Sequence, residues 1–163
     1  MAWSYDPILQ SASSTLASGT VYLIRIPLPH PAKVDNIIVE IQSAGIGLTS
    51  GGSFAGIYTT GGALVAATAD QHSAWASAGS KSMALPAPAL LPAGYVYVAL
   101  LANGTTTPAF GRCTVQGAGA INAGLSPADS RYATGPIGQS SLPATISMGS
   151  LIQVANSFWA ALS

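Results

Sequence analysis

The sequence predicts an all-β fold, an antiparallel β-sandwich of jelly-roll type, on three observations. Apolar and polar residues alternate with a period near two along much of the chain. Its 18 glycines and 11 prolines interrupt that alternation at short intervals. No long helical period survives between them, and a run of short strands joined by turns makes a sandwich. The 163 residues suit one domain, 1–163, large enough to bury a core without staples.

Residues 1–20 are read as an N-terminal docking segment. In Val21-Tyr22-Leu23-Ile24-Arg25-Ile26 one face carries Tyr22, Ile24 and Ile26. Pro27-Leu28-Pro29-His30-Pro31 follows, and its prolines remove ladder donors. It is expected to be an extended crossing from one sheet to another. The next strand sets Ile37, Val39 and Ile41 on one side and Asn36, Ile38 and Glu40 on the other. Ser53–Tyr58 and Ala63–Thr68 are joined by Thr59-Thr60-Gly61-Gly62, a hairpin signal. Thr68 to Ala78 has neither Gly nor Pro, so a short helical turn near 70–76 is expected, with Asp70 as its cap. Gly94 to Leu101 is apolar on both faces and belongs in the middle of a covered sheet. Asn103-Gly104 should end it in a hairpin turn, with Pro108 to Val115 returning alongside. Residues 116–150 read mainly as loops with short strands, and Ser157 to Leu162 supplies a closing strand.

Charge is the anomaly. The chain has five basic and five acidic residues, a net charge of zero, and 49% hydrophobic residues. An ordinary soluble domain is roughly a quarter charged. Such a surface has little electrostatic protection from its neighbours. The chain must span a membrane, bind itself or belong to a larger assembly. A membrane helix needs about 20 apolar residues in a row, and the best run, Ala89 to Ala102, is broken by Pro92 and Gly94. Met1 to Pro7 has no basic start and no apolar run, so no secretory signal is expected. Arg25, Lys33, Lys81, Arg112 and Arg131 are scattered, whereas phosphate-tracking surfaces cluster them. Neither membrane insertion nor nucleic-acid binding is expected. Assembly remains.

Catalytic chemistry has little to draw on. His30 and His72 are the only histidines, and no paired ligand spacing sets either beside an acid such as Asp35. No metal, cofactor or catalytic residue is expected. Cys113 stands alone and reads as a small buried residue in a strand. Asp70-Gln71-His72-Ser73 holds the residue types of a hydrolase triad, but triads are assembled from separate elements. A surface turn is the expected reading. Gly51-Gly52-Ser53-Phe54-Ala55 lacks the second Gly of a nucleophile elbow. Gly45-Ile46-Gly47 lacks the strand-to-helix setting of a dinucleotide loop. Asn103-Gly104-Thr105 matches the glycosylation acceptor, though Asn-Gly is first a turn. Asp35 and Glu40 differ in strand parity, which disfavours a paired-carboxylate depolymerase. Sugars stack on exposed rings, and Trp75, with His72 and Gln71 beside it, is the candidate glycan contact. Trp3 and Trp159 are expected to pack or to cover an interface.

From Val34 to Arg112 a pattern emerges. Ile46-Gly47-Leu48-Thr49-Ser50-Gly51-Gly52-Ser53-Phe54-Ala55-Gly56-Ile57-Tyr58, then Gly62-Ala63-Leu64-Val65-Ala66, and Asp70 to Trp75 come first. Leu85 to Leu91, Pro92-Ala93-Gly94-Tyr95-Val96-Tyr97-Val98 and Pro108 to Arg112 continue it. This succession resembles the jelly-roll domains of minor tail and tail-fibre proteins of actinobacterial phages. The resemblance implies a virion structural protein, a homotrimer at the tail tip, baseplate or fibre end, meeting other tail proteins and able to contact a host-surface glycan. The sequence shows no N-terminal coiled coil or Gly-X-Y shaft, so either direct docking onto another tail protein or a shaft supplied by a different chain is expected. A free-standing carbohydrate-binding lectin and a capsid decoration or head-fibre protein are the alternatives.

Overall fold

The computed structural model describes residues 1–114 and 117–163. Strands β1 (Ala2–Trp3), β2 (Ala12–Thr15), β3 (Tyr22–Leu28), β4 (Ala32–Ser43), β5 (Ile46–Leu48), β6 (Phe54–Tyr58) and β7 (Leu64–Ala67) form the first half. The second half supplies β8 (Gly79–Leu91), β9 (Gly94–Leu101), β10 (Gly104–Thr106), β11 (Ala109–Arg112), helix α1 (Ala118–Asn122), β12 (Tyr132–Thr134), β13 (Ile152–Gln153) and β14 (Ala160–Leu162). They build an antiparallel β-sandwich, as the alternation predicts.

The first sheet is organised on β4. Its residues 32–41 pair with β8 along one edge, while β14 (at 37–39) and β11 (at Ile41 and Ser43) share the other. β1 extends β14, and β2 extends β11. The second sheet runs β13-β12-β3-β9-β6-β7. Ile37, Val39 and Ile41 of β4 face Ile24 and Ile26 of β3 and Val96, Val98 and Leu100 of β9 in one dry core. Each such side chain, fully buried, contributes roughly 1.5–3 kcal/mol before chain entropy is subtracted.

β9 is buried on both faces because the second sheet is covered twice. Tyr97, Ala99 and Leu101 point away from the first sheet and pack with Ile146, Met148 and Leu151. The chain after β12 therefore covers this outer face. It is stitched down by Leu64 N–H to Ala144 O (2.9 Å), Ile146 N–H to Gly62 O (2.8 Å) and Tyr58 Oη–H to Pro143 O (2.6 Å). Gly62 has φ of +84°, and a Cβ there would stand 2.0 Å from Ile146 O, so this close approach demands glycine.

The two-sheet crossing, the 59–62 hairpin and the central β9 are as read from the sequence. Several expectations are corrected. β3 continues through Pro27 and Leu28, paired with Tyr95 and Gly94. It can do so because β12 pairs only as far as Ile24, so the missing Pro27 donor faces no partner strand. Asn103-Gly104 is not a hairpin turn. The Asn103 amide ties Gly52 O (2.9 Å) to Gln139 O (3.0 Å), and β10 pairs with β5. β11 then lies in the opposite sheet, not beside β9. Val115, expected in that return, and Gln116 lie outside the described residues. Residues 117–150 include α1 and β12 as well as loops. The segment 1–20 contributes β1 and β2 to the first sheet, which leaves its reading as a docking segment untouched. β14 is flanked on both sides, by β1 and β4. The helical turn is a 3₁₀ turn at Ala74–Ala76 with Ser73 at its N-cap, so Asp70 does not cap it.

β8 is long, and none of its strand partners among the described residues lies on its outer side. Pro86 and Pro88 sit in it, and Lys81, opposite the buried Val39, donates to Ser77 Oγ (2.9 Å) and Ala78 O (3.1 Å). Prolines and an inward-directed lysine are devices that blunt an open edge.

Candidate functional site

The proposed glycan contact does not survive. Trp75 is completely buried. The 3₁₀ turn folds inward, with Trp75 N–H donating to Gln71 O (2.8 Å) and Gly45 N–H to Trp75 O (2.9 Å). Its indole meets Phe110 edge-on at 5.1 Å and donates from Nε1 to Met83 Sδ at 3.3 Å. A ring with no exposed face cannot stack on a sugar. Gln71 is half-buried and donates to Ala69 O (2.8 Å), and His72 is part of a different arrangement. Trp159 is buried, with Nε1 donating to Tyr5 O (3.0 Å), and Trp3 remains exposed.

That arrangement corrects the expectation for the 70–73 loop. Asp70 Oδ2 lies 2.5 Å from His72 Nδ1, and His72 Nε2 lies 3.1 Å from Ser73 Oγ. Near neighbours in one loop do reach one another in line. Burial pushes the Asp70 carboxyl up, but the N–H groups of Gly51 (2.6 Å) and Ser53 (3.0 Å) and the His72 side chain outweigh it and hold it below its ordinary value. Those two N–H groups are spent on the carboxylate. An acyl-transfer site needs such donors aimed at the reacting carbonyl. Ser73 itself is exposed. The Asp70 carboxylate is thus a clasp that fastens 51–53 to 70–73.

The clasp has a pH consequence. A carboxyl whose folded value is depressed contributes stability above its unfolded value, and the contribution disappears as pH falls through the folded value. The urea midpoint is expected to drop between pH 5 and pH 2, and Asp70→Asn should remove part of that drop. Parallel pH curves for the two proteins would contradict this role.

A cleft of about 440 Å³ opens where β12 stops pairing with β3. Arg25 and Pro27 line it from β3, Tyr5 and Ser157 from either end of the chain, and Arg131 and Tyr132 from the start of β12. Arg25 stands over the Tyr95 ring at 5.0 Å and donates from Nη1 to Asp129 O at 2.7 Å. Tyr5 Oη donates to Ser157 O at 3.1 Å. Burial pushes the Tyr132 phenol up to about 12 and raises Tyr5 further, so both remain neutral donors at physiological pH. Cys113, expected buried in a strand, is half-buried just beyond β11 and lines this cleft. Among the described residues no three His, Cys, Asp or Glu side chains gather as metal ligands. The residues of the cleft are far apart in sequence, and no local spacing signals them.

No protein-family model matches the chain, and no curated protein matches its sequence significantly.

Proposed function

We propose that this chain is a non-enzymatic structural subunit of a phage tail, a minor tail, tail-tip or fibre protein. In this reading it works as a homotrimer among other tail proteins in the virion and contacts the host surface. The observation that carries the assembly reading is a strand-built body with few charges that leaves large apolar side chains in water. Ile8 is 84% exposed and Leu90 80%, and Trp3 lies open beside Ala161 and Ile38 in adjacent register on the first sheet. Burying apolar area contributes about 25 cal/mol per Å² toward association, and small uncharged neighbours add little desolvation cost. The resemblance over Val34 to Arg112 supplies the tail assignment. A carbohydrate-binding module is the second reading, favoured by the cleft.

Purified protein is expected to run at three times its 16.3 kDa chain mass in sizing with light scattering. A monomer at micromolar concentration would refute the trimer. Labelled protein on intact particles should decorate the tail, and decoration of the capsid would move the assignment to a head-fibre role.

A further inference from the structure

We infer that the cleft between β3, β12 and the chain's two end segments binds a small polyhydroxylated anion, a sugar or polyol bearing a carboxylate or a phosphate. Five basic side chains serve the whole protein, and two of its three arginines line this one cleft. Among the described residues no acidic side chain lines it. The ion pairs among the described residues are Lys33–Asp35 and Asp70–His72, so no carboxylate pairs with Arg25 or Arg131. The nearest acid, Asp129, turns its carboxylate to Tyr95 Oη (2.9 Å) and Ser126 Oγ (2.7 Å), and offers Arg25 only its carbonyl. Two arginines on one cavity, neither held in an ion pair although Asp129 lies close enough to Arg25 to feel its charge, are the complement of a planar or tetrahedral oxyanion.

The remaining walls suit the rest of such a ligand. Ser157 is 4% exposed, and among the described residues its Oγ has no hydrogen-bond partner, an unspent polar group at the cleft. Ser4 and Thr114 add hydroxyls that can meet ligand hydroxyls, while Leu9, Ile121 and the Tyr5 ring give an apolar side for C–H groups. A volume of about 440 Å³ holds one or two sugar-sized units. Arg25 is held by Tyr95 and Asp129, whereas the backbone of Arg131 is anchored by its N–H to Asn122 Oδ1 at 2.8 Å and its side chain is exposed. The anion would therefore meet one guanidinium already ordered and a second, exposed one that closes on it. The inference concerns the single chain and does not depend on trimer formation or on a place in a virion.

Titration calorimetry of the full chain tests it with four probes: glucuronate, glycerol phosphate, glucose and inorganic phosphate. Glucuronate or glycerol phosphate is expected to bind at least about tenfold more tightly than glucose and than inorganic phosphate. Whichever of the two binds better assigns the anion as carboxylate or phosphate. Arg131→Gln should weaken that binding about tenfold or more, while Arg131→Lys, which keeps the charge, should lose less. Arg131 is exposed, so both variants should melt as the parent does. Glucose binding as tightly as the acidic probes, inorganic phosphate matching them, an unaffected Arg131→Gln, or no binding by any probe would each overturn the site.

Discussion

Trp75→Ala is expected to cost about 3–5 kcal/mol of stability and to lower the melting temperature by on the order of 10 °C. The indole is fully buried, fills the end of the core against Phe110, and has its N–H on Met83 Sδ. Removing it leaves a cavity that Phe110 and Phe158, packed edge-on at 6.1 Å, are poorly placed to fill. Trp75→Phe keeps an aromatic edge for Phe110 and gives up only a weak N–H to sulfur bond, so it should lose less than half as much. Thermal melts and urea curves for the three proteins decide the matter. If Trp75→Ala melts within about 2 °C of the parent, the ring is not the core element described here. A ring used for surface recognition would show the reverse, with binding lost and stability kept.

Why the sequence misplaces Trp75 while placing β9 correctly follows from periodicity. In β9 two interleaved apolar sets, Val96, Val98 and Leu100 against Tyr97, Ala99 and Leu101, require cover on both faces, and the structure supplies both. Alternation at Ile37, Val39 and Ile41 is equally informative, because a strand with period two can bury only one such set against a single layer. Trp75 has no such companions. One aromatic in a short Ala-rich turn carries no phase, and only the tertiary course of the chain decides which way it faces. Strand partnership was illegible for a related reason. Asn103-Gly104 reads as a tight turn whether β11 returns beside β9 or crosses to β4, and β11 crosses. β8 was hidden by Pro86 and Pro88, although Met83, Leu85, Ala89 and Leu91 are its buried set and prolines are compatible with an edge strand. The cleft draws on segments scattered from Ser4 to Ser157, so no spacing rule can find it. In the 70–73 loop the error was physical. Side chains separated by one or two residues reach one another when the backbone turns sharply, as the Asp70, His72 and Ser73 contacts show.

The second large effect is expected at Asn122, which joins that cleft to the fold. This side chain at the end of α1 is fully buried. Its Oδ1 accepts from the N–H groups of Arg131 (2.8 Å) and Tyr132 (3.2 Å), and its Nδ2 donates to Ala118 O (2.9 Å) and Tyr132 O (3.3 Å). One amide thus satisfies the start of β12 and the last turn of the helix together. Asn122→Ala strands the two N–H groups and should cost about 2–4 kcal/mol, read as a lowered urea midpoint. Asn122→Asp separates the two halves of the role. It keeps an acceptor for Arg131 and Tyr132 but turns a carboxylate toward the Ala118 and Tyr132 carbonyls. Burial and those carbonyls favour the neutral acid, so its folded pKa should lie above the unfolded one. The deficit of Asn122→Asp should accordingly shrink as pH falls toward 4, where the protonated acid can donate again. The deficit of Asn122→Ala should not respond in this way. Asn122→Ala unfolding within about 0.5 kcal/mol of the parent, or identical pH curves for the two variants, would show that β12 and the Arg131 wall of the cleft are held by something else.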